Sequence, residues 1–393
     1  MVSLANNAKL VNIYRGARMT EQPEKPTVLV LYNQVGEDEY EKLKEVDPKT
    51  LGFEPEYDIH VATVDEEYQA ITTALEKEGF SVTAVNLENS LDKLESILKH
   101  NPPHVIFNLV EFFHDSHMLE FAVAGMYDLY DVAYTGCTPF TLNMCVRKGM
   151  AKQLLLANGV LTPRFHLLQE PKINKRHGLK YPLIVKPARE DASSGVDKDS
   201  VVYTYDDLKA LLEKVFAEYQ PPILVEEYIE GRELHVSILG NDPPRMLPVI
   251  EFDFSKLPDD YPNIITYDAK WNPLNEVFHR ISSVCPAKLT KIQLKKIEQA
   301  CIKAYQIMEC RDYARLDVRL GKHNKVYVLE VNPNPDLTEG VSYMESAEKA
   351  GMTFSETLGR IIDYAYQRKI KRLAEKSQST VHTDDTQKVS VKN

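Results

Sequence analysis

Cysteine is scarce in this sequence, with five residues among 393, widely separated and without a C-x-x-C pair. A disulfide framework or a zinc site would need closer and more numerous cysteines, so we expect free thiols, no zinc and a reducing, cytoplasmic environment. Long apolar runs are also lacking: none approaches the roughly 18–20 residues of a membrane-spanning helix. We therefore expect no membrane association.

Dense groups of basic residues are missing as well. The chain carries 58 acidic residues against 47 lysines and arginines, a formal net charge of −11. Nucleic-acid-binding proteins usually present a basic face, so we expect no nucleic-acid partner. The glycine-rich phosphate-binding patterns G-x-x-x-x-G-K-[ST] and G-x-G-x-x-G are also absent, so any nucleotide site must be built differently.

Periodicity and composition divide the chain into five parts. Residues 1–25 begin with a basic, acid-free stretch that favours a flexible arm over a targeting peptide. Residues 26–140 alternate β-branched strands with amphipathic helices, which predicts a doubly wound parallel α/β domain. We expect a central, lid-like subdomain at 141–222 and a C-terminal α+β domain with an antiparallel sheet at 223–370. The polar end, 371–393, predicts a disordered tail.

Two strand-like segments in the last domain carry oxygen-rich side chains. Glu330 and Asn332 in "YVLEVNPNP" stand two apart, so they share one face of a strand, as do Arg315 and Asp317 in "YARLDVRL". If the strands pair, Asp317, Glu330 and Asn332 form a set of hard oxygen ligands that suits Mg²⁺. A solvated face of paired charges is the alternative.

Two further segments indicate a nucleotide. Lys186 ends the apolar strand "PLIVKP" and precedes a loop of small residues, which together can bind phosphate through a charge and close backbone N–H groups. In "ILVEEYIEGRELHVSILG", Glu226 and Glu227 end one strand and Glu233 begins another. A crevice between them could hold a purine and a ribose, although a hairpin with acidic surface residues fits the same pattern.

The order of these motifs resembles the ATP-grasp superfamily and, within it, the D-alanine–D-alanine ligase group. The chain shows "IVKPARED", "VEEYIEGRE", "ARLDVRL" and "LEVNPNP" in the family's order, after "VAYTGCTPFTLNMCVRKGMAKQLL". The resemblance covers roughly residues 26–370. It implies an ATP-grasp fold and an enzyme that uses ATP with Mg²⁺ or Mn²⁺ to activate a carboxylate as an acyl phosphate, which an amine then attacks.

The resemblance also assigns roles to individual residues. Arg315 and Lys270 would act at the transferred phosphoryl group and the acyl phosphate. Asp317, Glu330 and Asn332 would hold the metal. The expected ATP contacts are Lys148 and Lys186 at the phosphates and Glu226, Glu227, Ile229 and Glu233 at the base and ribose. The expected substrate contacts are Glu111, Ser193, Trp271 and Asp336.

The substrate half of the sequence departs from the family pattern. Glu111 replaces a histidine at the end of the third strand, Ala192 falls where a substrate-orienting serine is expected, and Trp271 replaces a tyrosine. Asp336 stands where the family has a glycine. We therefore expect small carboxylate and amine substrates other than D-alanine, and we expect Glu111 to recognise a cationic group. A different acceptor (peptide, thiol or hydroxyl), a nucleotide-binding protein without turnover, and a homodimer remain open.

Overall fold

The computed structural model describes residues 25–36 and 39–389, with side chains described as far as residue 376. The predicted N-terminal arm therefore lies almost entirely outside the described residues, as do residues 390–393 of the predicted tail. Three sheets organise the described part of the chain. None of its helices is both long and apolar enough to cross a membrane.

The N-terminal sheet is parallel, with strand order β2-β1-β3-β4. β1 and β3 are almost completely buried, as their apolar sequences require when helices cover both faces. This confirms the predicted doubly wound arrangement. The elements are β1 Thr27–Tyr32, α1 Val64–Lys77, β2 Ser81–Asn86, α2 Leu91–His100, β3 Val105–Leu109, α3 Glu120–Leu129 and β4 Ala133–Tyr134.

The central sheet is antiparallel, with strand order β5-β8-β6-β7. It has a small apolar core of its own, formed with α6. Its elements are α4 Pro139–Val146, α5 Lys148–Ala157, β5 Phe165–Leu168, β6 Leu183–Pro187, β7 Val201–Val202, α6 Tyr205–Glu218 and β8 Ile223–Glu227.

Two predicted domain boundaries are wrong. The boundary at 140/141 falls inside α4, because Thr138 caps that helix and Pro139 begins it. The boundary at 222/223 separates β8 from its own sheet, because β8 pairs with β5 and β6. Sequence order suggested that β8 starts the next domain, but strand pairing joins it to the preceding one.

The C-terminal sheet is antiparallel, as predicted, with strand order β12-β11-β9-β13-β14 and with β10 paired to β9. β9 and β13 form its buried centre. The elements are β9 Arg232–Leu239, β10 Arg245–Met246, β11 Ile250–Asp253, α7 Tyr267–Trp271, α8 Glu276–Arg280, β12 Ser282–Val284, α9 Lys291–Ile307, β13 Tyr313–Leu320, β14 Val326–Asn332, α10 Ser342–Lys349 and α11 Phe354–Val389.

Helix α11 returns to the N-terminal domain and corrects the prediction for the end of the chain. Leu358 and Ile361 pack with Val30 and Phe107 of the parallel sheet. The helix continues to Val389, so residues 371–389 are helical rather than irregular. No glycine or proline follows Gly359, so nothing in the sequence ends a helix that apolar packing has established.

Candidate active site

The predicted oxygen-rich set comes together on the antiparallel pair β13–β14. Asp317 lies opposite Glu330, and Arg315 lies opposite Asn332. Arg315 donates to both carboxylate oxygens of Asp317, at 2.8 and 3.0 Å, and Asn332 Nδ2 donates to Asp317 Oδ2 at 3.2 Å. Side chains two apart on one strand face the same way, so pairing was the only further condition for this cluster.

Neighbouring cations keep both carboxylates of the cluster ionised. Burial alone would raise the pKa of Asp317, but Arg315 outweighs it and holds the pKa well below its ordinary value. Burial likewise opposes the charge of Glu330, yet Lys148 lowers the pKa of that carboxyl. The cluster therefore presents negative oxygens at neutral pH.

The donor set fits a hard cation that is shared with another ligand. Asp317 and Glu330 supply two carboxylates and Asn332 supplies an amide oxygen, which are the ligand types that Mg²⁺ prefers. No group of three His, Cys, Asp or Glu side chains in residues 25–36 and 39–376 could hold a metal without help. Mg²⁺ usually keeps phosphate oxygens or water among its ligands, so this incomplete set suits a metal bound together with a nucleotide.

The two lysines expected at the phosphates both lie in a cleft between the central and C-terminal sheets. Lys148, the first residue of α5, approaches Glu330 Oε2 at 3.2 Å and donates to the Glu190 carbonyl at 2.7 Å. Burial opposes its charge, but Glu330 raises its pKa above the ordinary value. Lys186, at the end of β6, lines the same cleft.

Glu226, predicted to contact the nucleotide, lines the same cleft, and both of its carboxylate oxygens lie beside lysines. Its two oxygens lie 2.8 Å from Lys152 and 2.8 Å from Lys186. Lys152 also donates to Thr162 at 2.8 Å and is almost completely buried. The prediction omitted Lys152, although its position four residues after Lys148 places both lysines on one face of α5.

Glu227 points away from Glu226, as successive residues of a strand must. Its Oε1 accepts from the Lys180 backbone N–H at 2.9 Å and lies 3.5 Å from Arg164. Glu227 lines the cleft between the central and C-terminal sheets, called the nucleotide cleft below, as do Ile229 and Glu233. Glu227, Ile229 and Glu233 were predicted to contact the base and the ribose, and the structure brings all three together in this cleft.

Glu233 has a buried partner that the prediction missed. Arg319 donates to its carboxylate and to the carbonyl of Gly231, the latter at 3.2 Å. Burial raises the pKa of Glu233, although Arg319 opposes that shift. Arg319 shares a strand face with Arg315 and Asp317, and this alternation was the available signal.

The loop after β6 closes over the cleft and holds Ala192 and Ser193 in left-handed conformations, with φ of 54° and 63°. Trp271 Nε1 donates to the Ala192 carbonyl at 2.8 Å. The Ser193 hydroxyl donates to the Ile265 carbonyl at 3.3 Å. Ser193 lines the nucleotide cleft and not the neighbouring pocket that holds the other predicted substrate contacts, so the structure separates it from them.

That neighbouring pocket, called the substrate pocket below, lies between the N-terminal domain and the β13–β14 cluster. It brings together Glu111 after β3, Trp271 and Lys270 from α7, and Asp336 after β14. It also contains Glu120 at the start of α3, which the sequence gave no reason to select. Lys270 lies over the Trp271 ring, 4.7 Å from its centroid, and burial lowers its pKa.

Comparison with known proteins identifies the family of this chain. A family model described as D-ala D-ala ligase C-terminus matches residues 157–363, just over half of the chain. A D-alanine–D-alanine ligase of Carboxydothermus hydrogenoformans is 28% identical over 321 residues, covering 79% of this chain and 95% of that protein. An uncharacterized protein, y4sG, of Sinorhizobium fredii is 31% identical over 264 residues, covering 67% of this chain and 75% of its own length.

The fold comparison gives the same result. The crystal structure of a Bacillus anthracis D-alanine–D-alanine ligase complexed with ATP superimposes with a TM-score of 0.64 at 21% identity. The match covers 88% of this chain and 99% of that one, which confirms the expected ATP-grasp fold. The chain belongs to the D-alanine–D-alanine ligase family, ATP-dependent enzymes that join a carboxylate to an amine through a new carbon–nitrogen bond.

Proposed function

We propose that this protein uses ATP and Mg²⁺ to activate a small carboxylate as an acyl phosphate and then joins it to an amine, with substrates other than D-alanine. The observation that carries the proposal is the pairing of Asp317 with Glu330 beside Arg315 and Asn332. Carboxylates, an amide and cations meet there at the junction of a nucleotide-sized cleft and a second pocket.

The chain's own residues serve phosphoryl transfer by position and charge, which is what this reaction chiefly requires. Lys148 and Lys186 hold the phosphates, and Glu226 fixes Lys186 through their 2.8 Å ion pair. The substrate carboxylate attacks the γ-phosphorus and ADP leaves. Arg315 and Lys270 stabilise the charge that develops on the transferred group. The amine then attacks the acyl carbon, and phosphate leaves.

Asp317, Glu330 and Asn332 would hold Mg²⁺. When bound, the metal neutralises phosphate charge and makes ADP a better leaving group. The chain keeps its part of this site in place with protein contacts. Asp317 is fixed by Arg315, and His235 approaches the same carboxylate at 3.4 Å while its other ring nitrogen bonds to Ser342 at 3.0 Å.

Substrates other than D-alanine are proposed because the substrate pocket is strongly acidic. Glu111, Glu120 and Asp336 line it together with the bulky Trp271. D-alanine offers only a methyl side chain and one ammonium group. It would leave most of these carboxylates without a cationic partner, and a polar group whose partner is missing costs about 1–3 kcal/mol when it is removed from water.

Trapping of the acyl phosphate tests the proposal directly. The protein is incubated with Mg²⁺, ATP, hydroxylamine and a panel of carboxylates that includes both enantiomers of each amino acid. We expect hydroxamate formation and equal release of phosphate with a subset of the panel, and neither product with Glu330→Gln. ATP-dependent product without any trapped hydroxamate, or full activity of Glu330→Gln, would contradict the mechanism.

A further inference from the structure

The substrate pocket continues directly from the nucleotide cleft. The two share Asp191, Ala192, Lys270, Arg315 and Asn332. The carboxylate that accepts the phosphoryl group, or the amine that then attacks the acyl phosphate, must therefore occupy this pocket. The charges of the side chains that line it therefore indicate which substrate it binds, independently of the nucleotide site.

The lining carries an excess of negative charge. Among the described residues, Lys270 and Arg315 are the lysine and arginine side chains that line the pocket, and the one histidine there, His117, bonds through Nδ1 to the Glu111 carbonyl at 3.0 Å. Five carboxylates face these cations, each from a different segment of the chain: Glu67, Glu111, Glu120, Asp191 and Asp336.

Lys270 and Arg315 do not fully cancel the charge of Glu111, Glu120 and Asp336. Arg315 is already engaged by both oxygens of Asp317, and Lys270 lies over the Trp271 ring. Neutral groups donate hydrogen bonds to some of these carboxylates, which does not cancel their charge. Asn334 Nδ2 donates to Glu120 at 3.2 Å, and the Thr338 backbone N–H donates to Asp336 at 2.8 Å.

Desolvation and mutual repulsion both increase the proton affinity of these acids. Glu111 is exposed in the pocket, yet desolvation by the surrounding protein, with smaller contributions from the carboxylates of Asp336 and Asp191, raises its pKa to about 8. Burial and the Glu111 carboxylate raise the pKa of Glu120 well above its ordinary value. A cation placed between these groups would replace the protons that they retain.

Building on the proposed function, we propose that the substrate in this pocket is a diamino acid or diamine, carrying an ammonium group in addition to the groups that react. Glu111 and Asp336 are its principal partners, with Glu120 behind them. A zwitterion such as D-alanine leaves the charge of the pocket unchanged. The extra ammonium group takes the place of a proton that these acids retain, and in a diamino acid the reacting carboxylate lies beside Lys270 and Arg315.

Paired ligands of equal size isolate the extra charge. Binding to the full chain is measured by calorimetry with Mg²⁺ and a non-hydrolysable ATP analogue present. D- and L-ornithine are compared with D- and L-norleucine, and 1,4-diaminobutane is compared with pentylamine. In each pair a methyl group replaces an ammonium group. We expect at least one ligand with the extra ammonium group to bind about tenfold or more tightly than the partner that carries a methyl group there.

Variants assign the effect to the pocket. Glu111→Gln and Asp336→Asn should each reduce the preference for the ligand with the extra ammonium group about tenfold and leave affinity for the ATP analogue unchanged. Asp115→Asn is the matched control, because Asp115 is an exposed acid four residues from Glu111 that does not line the pocket. It should leave the preference unchanged.

The outcomes separate this inference from the proposed function. Equal binding within every ligand pair, failure of ornithine and 1,4-diaminobutane to bind, or a preference that survives Glu111→Gln and Asp336→Asn would each overturn the inference. Hydroxamate formation only with carboxylates that lack an extra ammonium group would also overturn the inference, while it would support the proposed ligase activity. Tight binding of ornithine without any release of phosphate would support the inference and contradict the proposed function.

Discussion

Lys152 and Glu226 form an ion pair of 2.8 Å in which each side chain is 2% exposed. The pair joins helix α5 to strand β8 of the central sheet, and Lys186 lies on the other oxygen of Glu226. Burial opposes the charge of both partners. The two lysines nevertheless lower the pKa of Glu226, whereas the pKa of Lys152 falls because burial outweighs Glu226.

Lys152→Met should destabilise the protein by about 3–5 kcal/mol, because removal of one partner leaves a buried charge poorly compensated. Urea denaturation measures the change in the free energy of unfolding. Lys209→Met is the control, since Lys209 and Glu213 form an exposed pair at 4.0 Å that should contribute almost nothing. Equal effects of the two substitutions would show that the buried pair has no special role in stability.

Removal of the metal should weaken ATP binding. Calorimetry with Mg²⁺ and then with EDTA should give clearly lower affinity in EDTA, because phosphate charge would face Asp317 and Glu330 without a cation between them. Glu330→Gln should reduce phosphate release by about a hundredfold or more while the unfolding transition stays cooperative. Glu230→Gln, which changes an exposed carboxylate paired to Lys322 at 3.2 Å, should leave phosphate release unchanged. Unchanged affinity in EDTA would refute a metal-dependent site.

D-alanine should be a poor substrate. Each unpaired polar group in the pocket costs about 1–3 kcal/mol, so two of them would reduce kcat/KM by about thirtyfold or more relative to a matched substrate. A coupled assay for ADP, run with D-alanine and with the carboxylate found by hydroxamate trapping, measures the ratio. Efficient formation of D-alanyl-D-alanine would restore the ordinary activity of the family.

Stability should depend on pH through Glu111. The unfolded chain ionises this carboxyl near its ordinary value of 4.5, whereas the pKa in the folded protein is about 8. Between these values the folded state binds more protons, so the contribution of Glu111 to the free energy of unfolding falls as the pH rises. Glu111→Gln cannot ionise.

Urea denaturation of wild type and Glu111→Gln at about pH 5 and about pH 8.5 isolates this contribution. The wild type should lose more stability across the interval than the variant does. Parallel pH profiles for the two proteins would mean that Glu111 titrates normally.

The turn before α4 should tolerate only glycine. A Cβ on Gly136 would lie 2.3 Å from Asn334 Oδ1, which accepts from the Cys137 backbone N–H at 2.9 Å. Gly136→Ala should therefore displace Asn334, destabilise the protein by about 1–3 kcal/mol through overpacking, and weaken substrate binding. The strain of an alanine at positive φ adds about 1–2 kcal/mol.

Gly340→Ala supplies the control for that strain. Gly340 has a nearly equal φ of 85°, against 83° for Gly136, and no atom within 4 Å of the added Cβ. Gly340→Ala should therefore lower the free energy of unfolding only by the strain of an alanine at positive φ. Equal losses in the two variants would show that contact with Asn334 contributes nothing.

The sequence by itself determined most of the local order and the nucleotide side of the site. Alternation along "YARLDVRL" and "YVLEVN" placed Asp317 and Arg315, and Glu330 and Asn332, on common strand faces before any pairing was known. Apolar runs identified the parallel strands of the first domain. These features could be predicted because side-chain direction follows the two-residue period of a strand, which neighbouring residues alone set.

Tertiary structure decided the rest, because contacts between distant segments depend on packing that no local period encodes. Pairing of β8 with β5 and β6 moved a domain boundary, and the helix whose first turns pack on the first sheet continues through residues 371–389 of the expected tail. Folding also directed Glu226 to Lys152, kept Ser193 out of the substrate pocket, and brought Glu120 to Glu111. The acidic lining of that pocket, assembled from five segments of the chain, exists only in the folded protein.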